Sequence, residues 1–255
     1  MGRCLKFLAL LGLGLAGPWP ATAETFSNDQ LLRNFDIVAF GNEYTGRRYE
    51  SVRKWAGPIR FGIQGGKYPT YLERYVVQVI GDLKRLTGHP MELYYSFRKQ
   101  KTKQLPRDFD PKKVNVILFY LPDEQIPKAV AKYWDGSEAK VREMVRVSTC
   151  FAKFMTKGST IKAAVVVFPA RHPQEYIRAC VVEELTQILG LPNDSNGVRP
   201  SIFNDGSKYM ELTHHDRWML RLLYDKSITP GMPRREAINI GRLFLERHRK
   251  PGAGQ

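Results

Sequence analysis

Residues 183–191 read Glu-Glu-Leu-Thr-Gln-Ile-Leu-Gly-Leu and end an apolar helical pattern that begins at Gln174. On a helix, the side chains three, four and seven positions from Glu184 form an apolar stripe interrupted only by Gln187. These neighbours are Ile177, Cys180, Val181, Gln187 and Ile188. An ionised, unpaired carboxylate in such a stripe is strongly unfavourable. Glu184 therefore requires a cation, hydrogen-bond donors, an open cleft or a protonated state, and the simplest alternative is a buried carboxylate that only keeps the core in register.

The pattern around this helix predicts a single α+β domain. Nearly continuous apolar runs at 114–121 and 161–168 are typical of buried strands, and a further strand is predicted at 55–63, marked by Trp55, Ile59, Phe61 and Ile63. Helices are predicted at 27–40, 72–86, 126–134 and 174–189, and from residues 137 and 213 onward. We therefore expect a small mixed sheet backed by long helices in one domain at 24–235, with a basic C-terminal helix and tail at 236–255.

The first 23 residues have the three parts of a secretory signal peptide. Arg3 and Lys6 precede a Leu/Gly/Ala run, which ends at the small-residue sequence Ala-Thr-Ala at 21–23. An uncleaved anchor needs about 20 apolar residues, and Gly-Pro-Trp-Pro at 17–20 interrupts this run. We therefore expect an exported protein, periplasmic or secreted, whose mature chain begins at Glu24 and has no transmembrane segment.

The composition is that of a folded chain with an excess of positive charge. Apolar residues make up 43% of the 255 residues, which excludes intrinsic disorder. The 40 basic and 25 acidic residues give a net charge of +15, and basic residues concentrate at 98–113 and 234–250. An exported protein seldom meets nucleic acid, so we expect either an anionic envelope component as partner or a simply solvated basic surface.

Two cysteines remain once the expected signal peptide, with Cys4, is removed. In an oxidising compartment, Cys150 and Cys180 are expected to form a disulfide bond. The alternative is a pair of buried free thiols.

The sequence from residue 183 onward resembles the zinc helix of the metzincin metalloproteases, His-Glu-x-x-His-x-x-Gly-x-x-His. Two later segments are similar to matrixin-type metzincins. Residues 201–205, Ser-Ile-Phe-Asn-Asp, stand where those enzymes have a methionine turn, and Thr213 begins a segment like their closing helix. The resemblance implies a metzincin-like, or zincin-like, fold.

Most of residues 27–235 also resemble a bacterial family known as domain of unknown function 2927. The resemblance is carried by the helix around Phe35, Lys54-Trp55, the Glu-Glu-x-x-Gln helix, Leu223-Tyr224-Asp225 and Pro230-Gly231-Met232. This resemblance implies a fold and no particular activity.

The positions at which this chain departs from the metzincin pattern determine which function the resemblance implies. Glu184 takes the position of the general base, while Glu183, Gln187 and Asn193 stand at the three zinc-binding histidines. One carboxylate and two amides are poor zinc ligands and would suit Ca²⁺ or Mg²⁺ better. We therefore expect a pseudoenzyme, a non-catalytic binding or envelope-associated module that holds an extended peptide in a cleft beside an edge strand.

The alternative function is a metal-dependent hydrolase or peptidase with a non-standard site and Glu184 as general base. Its divalent metal would recruit other ligands, for which Asp194, His214 and His215 are the candidates. Adjacent histidines in a first helical turn are more often solvated. No Gly-x-Ser-x-Gly, P-loop or dinucleotide-binding motif is present.

Overall fold

A computed structural model describes residues 26–42, 46–65, 67–204, 206 and 209–249, and the predicted signal peptide lies outside these ranges. The helices are α1 (Asn28–Phe40), α2 (Thr70–Thr87), α3 (Phe97–Lys101), α4 (Ile126–Val130), α5 (Glu138–Val147), α6 (Gln174–Gln187), α7 (His214–Leu223) and α8 (Arg234–His248). The strands are β1 (Lys54–Trp55), β2 (Ile59–Gln64), β3 (Met91–Tyr95), β4 (Val116–Leu121), β5 (Phe151–Lys157) and β6 (Thr160–Pro169).

The six strands form one mixed sheet. β2 lies between β3 and β4, β4 pairs with β6, and all of these pairs are parallel. β1 runs parallel to the first residues of β6. β5 is antiparallel to β6 and, within the described residues, has β6 as its sole strand partner. The α+β class is confirmed, and β5 is the edge strand on the β6 side of the sheet.

Helices cover both faces of the sheet, which explains the unbroken apolar sequence of β6. Ala164, Val166 and Phe168 belong to the main core, together with side chains from α1, α2, α6, α7 and α8. Val165 and Val167 point to a smaller core on the other face, formed with α4 and α5. Burial on both faces is what allows a parallel strand to be apolar throughout.

The long elements confirm their sequence signals. Ser27 caps α1 by accepting from the backbone N–H of Gln30, and Gly88 ends α2 in the left-handed conformation. Thr213 and Asp216 form a capping box at the start of α7, where a helix was predicted from residue 213 onward. The predicted strands at 114–121 and 161–168 correspond to β4 and β6.

Two edge strands, β3 and β5, were not predicted individually. Their burial is only partial, and charged residues such as Lys153 interrupt the apolar sequence of β5. The missed signal is the turn at Gly158, whose φ of 61° fits the two-residue connection of a hairpin between β5 and β6.

The C-terminal helix packs onto the same core as the rest of the chain. α8 begins at Arg234, next to the predicted boundary at 235, and its Ala237 and Leu245 are buried in the main core. Arg234 also forms an ion pair with Asp36 of α1, at 2.5 Å. The side chains of Arg234 and Arg48 lower the pKa of Asp36, although burial acts in the opposite direction.

The predicted disulfide is confirmed. Cys150, immediately before β5, is bonded to Cys180 in the middle of α6, and their Cα atoms are 5.9 Å apart. The bond therefore ties the edge strand to the helix on which the metzincin resemblance depends.

Replacing Cys150 and Cys180 by serine is expected to lower the free energy of unfolding by about 3 to 4 kcal/mol, because the bond closes a loop of about 30 residues in the unfolded chain. Urea unfolding followed by tryptophan fluorescence measures the change. Wild-type protein in reducing agent should behave like the double variant. Equal stability of the oxidised and reduced proteins would contradict a stabilising role for this bond.

Candidate functional site

The C-terminal half of helix α6, from Cys180 to Gln187, is largely buried, including several polar positions. Glu184 is 4% exposed, as expected from its apolar neighbours, and Thr186 and Gln187 are also buried. The Thr186 hydroxyl donates to the carbonyl of Val182 at 2.6 Å. Buried polar groups need partners, so the surroundings of this helix determine what its end can do.

The carbonyl groups at the C-terminal end of α6 are satisfied by side chains from distant segments. Trp55 Nε1 donates to the carbonyl of Ile188 at 2.8 Å, and the Tyr224 hydroxyl donates to that of Leu189 at 2.9 Å. Gly190 follows with a φ of 117°, and a side chain there would overlap the carbonyl oxygen of Arg53. A glycine is therefore required where the metzincin pattern has its turn glycine.

Lys54, which precedes Trp55 in the sequence, stabilises the same region. Its Nζ donates to the carbonyls of Asp225 at 3.2 Å and Ile228 at 2.8 Å, and it lies 4.9 Å from the centre of the Tyr224 ring. Burial lowers the pKa of Lys54 to about 8. The sequence segments at 54–55 and 223–225 therefore act together to fix the end of α6.

The loop after Gly190 brings the predicted site residues Gln187 and Asp194 together and places Asn193 against α1. Gln187 Nε2 lies 3.0 and 2.9 Å from the two carboxylate oxygens of Asp194. Asn193 Nδ2 instead donates to the carbonyl of Ile37 at 3.2 Å, at the C-terminal end of α1. The amide at Gln187 is thus engaged by a carboxylate, and Asn193 ties the loop to α1.

The segment at 201–204 is held by a buried carboxylate of α7. Asp216 accepts from the Ser201 hydroxyl at 2.5 Å and from the backbone N–H of Ile202 at 3.1 Å. Thr213 donates to it with both its backbone N–H and its hydroxyl, each at 2.8 Å. Burial raises the pKa of Asp216, although these four donors act in the opposite direction. The network fixes the loop that contains Phe203.

The two candidate histidines lie against α1 and its N-terminal residues. Nε2 of His215 is 3.1 Å from Nδ2 of Asn34, and the imidazole packs edge-on against Phe26. His214 Nε2 accepts from Trp218 Nε1 at 3.0 Å. Within the described ranges, no three His, Cys, Asp or Glu side chains come close enough together to hold a metal ion.

A cleft of about 630 Å³ opens at the end of α6. One wall is the edge strand β5, a second is the end of α6 with the following Pro192, a third is α5 with the segment before it, and Asn42 and Tyr49 close the remaining side. The lining residues are Asn42, Tyr49, Trp134, Asp135, Lys140, Glu143, Met144, Ala152, Lys153, Phe154, Gln187, Ile188 and Pro192. The cleft combines an apolar floor with charged residues at its rim.

Of the predicted site residues, Gln187 lines this cleft directly. Glu184 is buried one helical turn before it, and Asp194 contacts it from the following loop. Sequence reasoning missed the apolar lining at Trp134, Met144 and Phe154. Its one available signal was the hairpin turn at Gly158, which would have placed an edge strand beside the helix.

The fold and this site define a mixed α/β protein with a lined cleft at the end of a buried helix. Residues 28–242 match the family described as Protein of unknown function (DUF2927). The match covers most of the chain, so the protein belongs to this family, as the sequence predicted. No curated protein and no solved structure matches the chain. The metzincin resemblance stays a prediction.

Among the described helices, none combines the length and the apolar character that a membrane crossing requires.

Acidification below pH 6.5 is expected to destabilise the protein through His215. The side chain is fully buried, and burial lowers its pKa from 6.5 to about 4, with Arg249 and His214 acting in the same direction. The unfolded chain therefore binds a proton that the folded chain does not between these values, so stability should fall by about 3 kcal/mol from pH 6.5 to pH 4. Urea unfolding across this pH range measures the slope.

One variant separates His215 from the other titrating groups. His215→Gln should unfold more easily at neutral pH and show a much smaller slope below pH 6.5. His89, His172 and His214, whose pKa values are also lowered by burial, contribute to what remains of the slope, and Asp216, whose pKa is raised by burial, acts in the opposite direction. An unchanged slope in His215→Gln would rule out this assignment.

Proposed function

We propose that this protein is an exported, non-catalytic binding module, and that it holds an extended peptide in the cleft between β5, α5 and the end of α6. The single observation that supports the proposal most directly is the composition of the cleft walls. A sheet edge runs along one side, and Gln187, the residue standing at a histidine position of the resembled metzincins, forms part of the other.

The first support is the shape and chemistry of the cleft. An extended peptide can lie along an edge strand and place alternate side chains into an adjoining pocket. Phe154, Met144 and Trp134 supply apolar surface for such side chains, while Lys140 and Glu143 at the rim offer charges of both signs. The covalent bond from Cys150 to α6 holds two walls of the cleft together without any ligand.

The second support is the state of the metal-binding positions. Gln187 donates its amide hydrogens to Asp194, and Asn193 donates to α1. Amide groups used in this way are poor ligands for zinc. Without a firmly held zinc ion, little would lower the pKa of a water molecule to make it a nucleophile. These contacts favour a pseudoenzyme over the metal-dependent hydrolase.

Export is supported by the leader pattern at residues 1–23 and by the disulfide, which is typical of oxidising compartments. The mature protein recovered from its cell of origin should begin at Glu24. Mass spectrometry of the purified chain measures this directly, and an intact N-terminus on protein from the cytoplasm would contradict export.

Peptide binding is tested by selection from a displayed library of random dodecapeptides, followed by fluorescence anisotropy of labelled hits. Lys140→Trp should weaken binding at least tenfold, because Lys140 lies at the rim of the cleft and is exposed, so an indole there obstructs the cleft without disturbing the core. Lys128→Trp, at an exposed position on α4 that is not part of the cleft lining, should bind like wild type. Equal peptide affinities of Lys140→Trp and Lys128→Trp would show that the peptide binds outside the cleft.

The same purified proteins distinguish a non-catalytic binding module from a hydrolase. Elemental analysis should show no stoichiometric transition metal, and selected peptides should remain intact on prolonged incubation with the protein. A bound metal ion that is lost in Glu184→Ala, together with peptide cleavage, would overturn the non-catalytic proposal and leave peptide binding in place.

A further inference from the structure

A second surface, on the opposite edge of the sheet from the cleft, carries an unusual amount of charge. Residues 97–113, here called the basic loop, follow edge strand β3 and include α3. The loop contains seven basic and two acidic residues, in a chain whose net charge is +15. About a third of the excess charge of the protein is therefore concentrated in 17 residues of sequence.

Three of these cations are used within the fold. Arg98 pairs with Glu73 at 3.7 Å, Lys99 Nζ donates to the carbonyl of Leu93 at 2.7 Å, and Lys113 pairs with Asp108 at 3.0 Å. The other four are exposed, and their side chains make no hydrogen bond or ion pair with a described residue. They are Lys101, Lys103, Arg107 and Lys112.

The basic loop is an ordered part of the fold. The Ser96 hydroxyl caps α3 by accepting from the backbone N–H of Lys99 at 3.1 Å, and the Tyr95 hydroxyl donates to Gln100 Oε1 at 2.9 Å. Phe109 stacks on Tyr94 and Tyr95 of β3, with ring centres 5.2 and 5.7 Å apart. The unpaired cations therefore lie on a segment attached to the sheet at both ends.

An exposed aromatic ring lies beside Arg98 and Lys101 of the basic loop. Phe97 is 47% exposed, and together with Tyr68, Arg98, Lys101 and Thr102 it surrounds a depression of about 470 Å³. An aromatic side chain flanked by lysine and arginine is favourable at a bilayer interface, where the ring reaches the acyl boundary and the cations reach the phosphates. A soluble acidic polymer offers the cations the same charge but offers the ring no apolar layer.

We propose that the basic loop docks the protein onto an anionic lipid bilayer, with Phe97 entering the interface and the four unpaired cations contacting lipid phosphates. This surface lies apart from the cleft and does not depend on peptide binding. It would hold the module at a membrane while the cleft remains open to a partner.

The test is co-sedimentation with lipid vesicles, using the chain from Glu24 onward because the apolar leader would itself bind lipid. Wild type should bind vesicles of phosphatidylcholine with one third phosphatidylglycerol and should not bind phosphatidylcholine alone. Lys101→Ala with Lys103→Ala should weaken binding on the order of 20-fold, since each cation near an anionic surface contributes about fivefold. Lys128→Ala with Lys226→Ala removes the same charge from exposed positions outside the loop and should bind like wild type.

The variant Phe97→Ser distinguishes a lipid bilayer from other polyanions as the partner of the basic loop. The variant should bind anionic vesicles several-fold more weakly while retaining wild-type affinity for soluble dextran sulfate. Equal loss of binding in both lysine pairs would show that net charge alone is responsible and would overturn the proposal. Unchanged vesicle binding by Phe97→Ser would also overturn it, in favour of a polymer or a purely electrostatic contact.

Discussion

Burial of the C-terminal half of helix α6, from Cys180 onward, is the constraint on which this structure depends. A helix enclosed by a sheet and other helices must find partners inside the protein for its polar side chains and for the carbonyls at its C-terminal end. Distant segments provide them, since Trp55 and Tyr224 donate to those carbonyls and Asp194 returns to meet Gln187. The sequence segments that identify the family are therefore largely the segments that complete this helix end.

The same constraint shapes the inner wall of the cleft. A histidine at position 187 would project from the helix toward the space beside β5, and glutamine projects there as well but is held by a carboxylate. The imidazoles of His214 and His215 pack against Trp218, Asn34 and Phe26. The sheet edge and the disulfide thus build the walls of the cleft, and an amide held by a carboxylate lies at its inner wall.

Sequence reasoning succeeded where the physical signal is local or continuous, and it failed where the signal depends on tertiary contacts. The cap at Ser27, the capping box at Thr213 and the two-sided burial of β6 leave patterns that can be read directly. The short strands β3 and β5 are half-buried, so their alternation is brief and interrupted by charge. Glu183, Glu184 and Gln187 were recognised by spacing, but the separate roles of Asn193 and Asp194 follow from the path of the loop, which spacing alone does not determine.

The division of the interior into two cores has a further consequence for motion. The smaller core, which includes Trp134, Met144 and Val145, holds α4 and α5 to one face of the sheet and is separated from the main core by β6 itself. Such a unit can open with a free energy well below that of global unfolding. Amide hydrogens of α5 should then exchange with solvent faster than those of α6, and occupation of the cleft, which both helices line, should slow exchange most in α5.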